Sequence, residues 1–249
     1  MMLAAGCVTV SDSRFAKEED RDKAVKNYVQ LGTAYISQGN LDRARLHLDR
    51  ALELAPDDAA ALSAMALLYS SDGEDELADK TFRKAISSDG DYTRGRVYYG
   101  AYLYGERRFG DAQKQFKEAS GDTNYSDRAS VFFNLGMTEE RLDNDEAAAN
   151  AYRRAVELSR GDAKSLLALS RVLVEAGDLS AASRHYSRLS SLMQQNSNYR
   201  HSPESLFTGI RIARYFDEWD RESSLALQLK NNFPDSVEYQ QYRVLISNE

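Results

Sequence analysis

Tyr28-Val29-Gln30-Leu31-Gly32-Thr33-Ala34-Tyr35, followed by Ala44, Leu48, Ala51 and Pro56, sets the phase of the whole chain. One period of 34 residues later, the matching places hold Leu62, Met65, Ala66, Tyr69, Ala78, Phe82 and Ala85. A third period gives Tyr99, Gly100, Leu103, Ala112, Phe116 and Ala119. Gly32, Ala66, Gly100 and Gly136 fall on the first helix of each period, where a second helix packs closest. A larger side chain there would overpack the pair, at a cost of about 1–3 kcal/mol. Ala44, Ala78, Ala112, Ala148 and Ala182 are the matching small residues on the second helices. Tyr28, Tyr35, Leu48, Tyr69, Phe82, Phe116, Tyr152 and Tyr186 then fill the space between periods.

One such unit cannot bury its apolar face alone, so the units must stack. The order of large, small and aromatic positions is the signature of the tetratricopeptide repeat. The expected fold class is therefore all-α: a right-handed superhelix of about six helix-turn-helix units. They fall at 25–58, 59–92, 93–126, 129–162, 163–196 and 203–236, within one solenoid from 25 to 236. The phase slips once, by two residues near Asp127-Arg128. Gly39, Gly73, Gly105 and Gly177 are expected at the turns inside the units, where a helix end favours a left-handed residue. Pro56 and Pro234 stand at unit ends, as a residue that cannot continue a helix should. The sixth unit keeps Leu206, Ile210, Ala213, Leu225 and Leu229 but carries Glu222 where a small residue belongs. Residues 191–203 read as a polar linker, Trp219 as packing in a C-terminal cap, and 237–249 as a tail or cap.

Composition narrows the function. The chain has 249 residues, 42% of them hydrophobic, and a net charge of −7 from 32 basic and 39 acidic residues. That balance argues against nucleic acid, which needs a basic stripe. No apolar run approaches the roughly 18 residues of a membrane span. His47, His185 and His201 are isolated, without metal-ligand spacing, and His47 and His185 read as surface residues. No nucleophile elbow, phosphate loop or dinucleotide glycine set is present. No catalysis, metal, cofactor or small-molecule substrate is expected.

The start reads Leu3-Ala4-Ala5-Gly6-Cys7, and Cys7 is the only cysteine. Small residues before a cysteine resemble a bacterial lipobox, in which cleavage exposes the thiol for lipidation. Residues 1–7 then read as the end of a signal peptide whose beginning lies upstream, since a signal needs roughly 15–30 residues. Residues 8–24, nearly free of apolar side chains, read as a tether to the first repeat.

Protein binding is expected on the inner face of the first helices, at the second, fifth, ninth and twelfth positions of each unit. Val29, Thr33, Ile36, Leu67, Val97 and Tyr104 are the candidate partner-binding residues, with Phe133, Met137, Leu167 and Val174 further along. An apolar groove of this kind suits an apolar helix or extended segment. The lysine and asparagine with which some relatives clamp an acidic C-terminus are replaced by Val29 and Thr33.

Gly6-Cys7-Val8-Thr9, Tyr28-Val29-Gln30-Leu31-Gly32, Gly209-Ile210-Arg211-Ile212-Ala213-Arg214, Leu227-Gln228-Leu229-Lys230 and Phe233-Pro234-Asp235-Ser236-Val237-Glu238-Tyr239 together carry a family resemblance. Over nearly all of 7–242 the chain resembles the type IV pilus biogenesis and stability lipoproteins of Gram-negative bacteria. The resemblance implies a pilotin: an outer-membrane lipoprotein, anchored through Cys7, that binds the pilus secretin and helps it reach the outer membrane and multimerise. A lipid-anchored scaffold of another envelope complex, such as outer-membrane protein assembly, is the alternative.

Overall fold

The computed structural model describes residues 14–196 and 199–247, and Cys7, with the lipobox expected around it, lies outside them. The described residues are helical throughout, joined by short turns, and form two compact units that meet between Arg108 and Phe109. That boundary falls between the two helices of the 93–126 period.

The first unit contains α1 (Arg14–Ser37), α2 (Leu41–Leu54), α3 (Ala59–Ser71), α4 (Asp75–Ser88) and α5 (Thr93–Gly105). Helix α1 packs on α2 and α3, and α3 on α4 and α5, so the three first helices lie side by side. Ala44, Leu48, Ala64, Met65 and Leu68 form one apolar core, with Val25, Ala51 and Ala61 in another beside it. Gly32 is small for the reason its position suggests: an added Cβ would lie 2.6 Å from the Leu48 side chain.

The second unit contains α6 (Phe109–Gly121), α7 (Arg128–Arg141), α8 (Asp145–Leu158), α9 (Ala163–Glu175), α10 (Leu179–Gln195), α11 (Pro203–Tyr215), α12 (Trp219–Asn232) and α13 (Val237–Ser247). Its main core joins Tyr152, Leu166, Leu169, Val172, Tyr186 and Leu189, all almost fully enclosed. Gly136 lets the Tyr152 ring approach, since a Cβ there would meet it at 2.6 Å. Asp58, Asp162, Asp178 and Ser202 cap α3, α9, α10 and α11 by accepting a backbone N–H. Such caps contribute about 1 kcal/mol each.

Several expectations are corrected. Helix α1 begins at Arg14, so most of the 8–24 stretch is helix rather than tether. Its charges are spaced to hold a turn together, with Lys23 Nζ 2.7 Å from Glu19 four residues earlier, and such pairs support exposed helices. Of the tail and the cap expected at 237–249, residues 237–247 take the form of a packed helix. Tyr239 and Tyr242 seat it against Leu206, Ile210, Leu225 and Phe233. Helix α10 continues to Gln195, so the connector to α11 starts at Asn196 rather than 191. Gly105 ends α5, and the left-handed place two residues on belongs to Arg107, with φ 59°. Left-handed residues thus recur at Gly39, Gly73, Arg107, Asp143, Gly177 and Asp217.

Glu222 is tolerated among apolar neighbours because Arg214 on α11 reaches it at 2.7 Å. A carboxylate this deeply buried would be costly without that partner. Trp219 does not pack in the cap: it opens α12 and is 59% exposed.

Candidate protein-binding faces

The six candidate residues all fall in the first unit, on the first helices of three consecutive hairpins. Val29, Thr33 and Ile36 lie on α1, Leu67 on α3, and Val97 and Tyr104 on α5. Each is half-buried. Val29 and Ile36 also pack against the Ala44–Leu48–Met65 core, so they hold the fold as well as lining the face. The Thr33 hydroxyl donates to the Val29 carbonyl one turn earlier in the same helix. Ser63, at the fifth position of the second hairpin, is wholly buried and contributes nothing to the face. The result is a largely apolar strip, with exposed Lys26 and Arg94 at the second places of the first and third hairpins.

The end of this unit is apolar too. Leu31 is 44% exposed, whereas its period mate Met65 is 3% exposed. Met65 packs against the hairpin before it. No described hairpin precedes Leu31, and its side chain meets solvent. His47 is not a plain surface residue: it stacks between Tyr28 and Tyr35, at ring distances of 6.0 and 5.4 Å.

In the second unit the corresponding positions form a different surface. Phe133, Met137 and Leu167 are half-buried against the main core, and Val174 is enclosed. Arg171, at the ninth position of its hairpin, stands between two carboxylates, 2.6 Å from Glu140 and 2.6 Å from Glu204. The Tyr152 hydroxyl also donates to Glu140. Burial pulls the Arg171 pKa down, but Glu140 and then Glu204 outweigh it and hold the guanidinium charged. Arg211 pairs with Glu175 and lies 5.9 Å over Phe207, while Lys164 lies 4.7 Å over Phe133. The inner positions here form a ladder of charges braced on aromatic rings. Sequence reading missed that ladder by selecting only apolar residues at the inner positions. Glu140, Arg171, Glu204 and Arg211 occupy the twelfth, ninth, second and ninth places of their hairpins, and could have been found there.

Among the described residues no cluster of three or more His, Asp or Glu side chains could hold a metal. The carboxylates with depressed pKa are structural. Burial would raise Glu139, but hydrogen bonds from Asn144, Gln113 and Lys117 hold its carboxyl below the ordinary value. Asp79 is held down in the same way by Tyr99 and Arg108, against the opposing effect of its burial.

Family models for tetratricopeptide repeats match residues 32–73, 61–94 and 100–163. The type IV pilus assembly protein PilF of Pseudomonas aeruginosa is 34% identical over 239 residues, covering 96% of this chain and 92% of that protein. A solved Pseudomonas aeruginosa PilF structure superposes with a TM-score of 0.80 at 32% identity, covering 90% of this chain and 99% of the other. The structure of PilW, described as a widely conserved type IV pilus biogenesis factor, shares the fold, with a TM-score of 0.70 at 22% identity. It covers 88% of this chain and 97% of its own. With its repeat phase, helical hairpins and near full-length similarity all in agreement, the chain belongs to the PilF family of tetratricopeptide-repeat proteins of type IV pilus assembly.

Proposed function

We propose that this protein is a pilotin: a non-enzymatic outer-membrane lipoprotein that binds the type IV pilus secretin and promotes its localisation and multimerisation. The observation that supports this most is the strip on α1, α3 and α5, a largely apolar face suited to an apolar segment of a partner. Cys7 supplies the anchor. Acyl chains contribute about 0.8 kcal/mol per buried methylene, and more than one chain is needed for stable attachment. Val8 follows the cysteine in place of the aspartate that retains lipoproteins at the inner membrane, and so suits outer-membrane sorting.

Two experiments test the reading. Leu67→Glu with Tyr104→Glu should abolish co-purification with the secretin while helicity is retained, because a charge buried without a partner is costly. Lys164→Glu with Arg211→Glu, on the second unit's face, should leave co-purification intact. The reverse pattern would refute the placement. Cys7→Ser in the full precursor should release the protein from the outer-membrane fraction. Retention there would refute the anchor.

A further inference from the structure

The junction between α10 and α12 is built unlike the others in the chain. Helix α10 has 17 residues where the other second helices have 13 or 14, and the connector that follows spans 196–202. A cleft of about 950 Å³ lies between α10 and α12, with Tyr199, Arg200 and His201 among its lining residues. Its volume sits at the upper end of the range for ligand sites.

The walls follow helical spacing. On α12, Arg221, Leu225, Gln228 and Asn232 recur at intervals of four, three and four, so they share one face and line the cleft along it. The floor is apolar, with Tyr186 and Leu225 both buried. The Arg221 guanidinium lies 5.5 Å over the Tyr186 ring and spends one nitrogen on Glu218, at 2.8 Å, leaving further N–H donors. Exposed Arg200 supplies a second positive charge from the connector. The chain has 39 acidic residues among 249, yet none lines this cleft.

We infer that the cleft is a second binding site, which takes an extended, carboxylate-bearing segment of a partner protein. Two guanidiniums can hold carboxylates with charge-assisted bonds, bidentately where the planar fork allows. Gln228 and Asn232 can pair with the backbone of an extended chain, and the Tyr186–Leu225 floor takes an apolar side chain. The α12 wall from Arg221 to Asn232 is about 16 Å long, enough for roughly five extended residues. This site is separate from the apolar strip of the first unit, so either can fail without the other.

The test is fluorescence anisotropy with a labelled hexapeptide alternating leucine and aspartate. Its asparagine and lysine counterparts serve as controls. The aspartate peptide should bind about tenfold or more tightly than either control, and more weakly as salt is raised. Arg200→Gln with Arg221→Gln should weaken it about tenfold or more. Gln228→Glu, an exposed change that leaves both arginines in place, should weaken it as well. Equal binding of the three peptides, or an aspartate peptide indifferent to these variants, overturns the proposal. So does full displacement by inorganic phosphate at the peptide's own concentration, which would mark a simple anion site. Binding of phosphatidylglycerol vesicles through the same arginines in place of the peptide would overturn it too.

Discussion

The first helices of both units occupy the same places in the same repeat, yet they differ in chemistry. In the first unit the inner positions include Val29, Thr33, Ile36, Leu67, Val97 and Tyr104, and the charges among them are Lys26 and Arg94, exposed at the second places of the first and third hairpins. In the second, Glu140, Arg171 and Glu204 form a paired ladder from α7 through α9 to α11. The lesson is that the repeat fixes which positions look inward and leaves their chemistry free. Large and small residues at the packing positions cannot vary without cost, whereas groove positions can. An apolar strip selects partners by burial. A ladder of satisfied charges discourages apolar partners, because burying it would strip water from ions already paired.

A first comparison sets the two close glycine contacts side by side. Gly136→Leu should destabilise the second unit by about 3 kcal/mol, and Gly32→Leu the first by about 2 kcal/mol, on urea denaturation. Both additions clash at 2.6 Å, but the Gly136 neighbour is a Tyr152 ring tied to Glu140, while Leu48 can change rotamer. Equal losses would show that the aromatic contact is no stiffer than the aliphatic one.

Arg171→Ala tests the ladder, which the first unit lacks. It leaves Glu140 and Glu204 facing each other across the gap, and a loss of about 1–2 kcal/mol is expected, discounted for the partial exposure of the pair. A loss that vanishes in moderate salt would sharpen the picture to a screened surface contact.

Acid should weaken both units, through different carboxylates. Glu139 is 2% exposed and Asp79 is partly buried, and both are held below their ordinary values of 4.5 and 3.8. A depressed carboxylate contributes stability that is fully present above its unfolded pKa and is lost as pH falls through its folded one. Melting followed from pH 7 downward should therefore hold until about pH 4.5 and decline below it. Glu139→Gln should flatten that decline in the second unit, after an initial loss of about 1–3 kcal/mol at neutral pH from bonds left unmade. An unchanged acid slope in the variant would remove Glu139 from the account.

The smallest effect is at the apolar end. Leu31→Ser should change stability by less than about 0.5 kcal/mol, while Met65→Ala, at the same repeat position, should cost about 2–5 kcal/mol. Comparable losses would mean that Leu31 is covered in solution.

The helical hairpins were legible because small and large residues recur in phase, and packing allows few substitutes at Gly32, Ala44 or Tyr152. The groove chemistry was half legible: Leu67 and Val97 could be placed by counting. Arg171 was passed over because a charge at an inner position gains meaning only from the neighbouring hairpin that pairs it. Glu222 looked like a defect for the same reason, since Arg214 neutralises it from another helix. Whether 237–249 was a tail or a cap stayed open because it lies beyond the last repeat and no period sets its phase, and Tyr239 and Tyr242 join α13 to the apolar cluster of α11 and α12. Trp219 was misplaced because a large aromatic at a turn reads as core when the direction of its side chain is unknown.

The left-handed turn residues carry a practical consequence. Three hairpins place glycine there, and three place Arg107, Asp143 or Asp217. A side chain in that conformation costs roughly 1–2 kcal/mol, partly offset because glycine is freer in the unfolded chain. The protein therefore contains its own template for thermostabilisation. Copying glycine from its neighbours into Arg107 and Asp143, far in sequence from the α10–α12 cleft, would give a sturdier background. Disruptive groove variants could then be studied in it without being mistaken for unfolded protein.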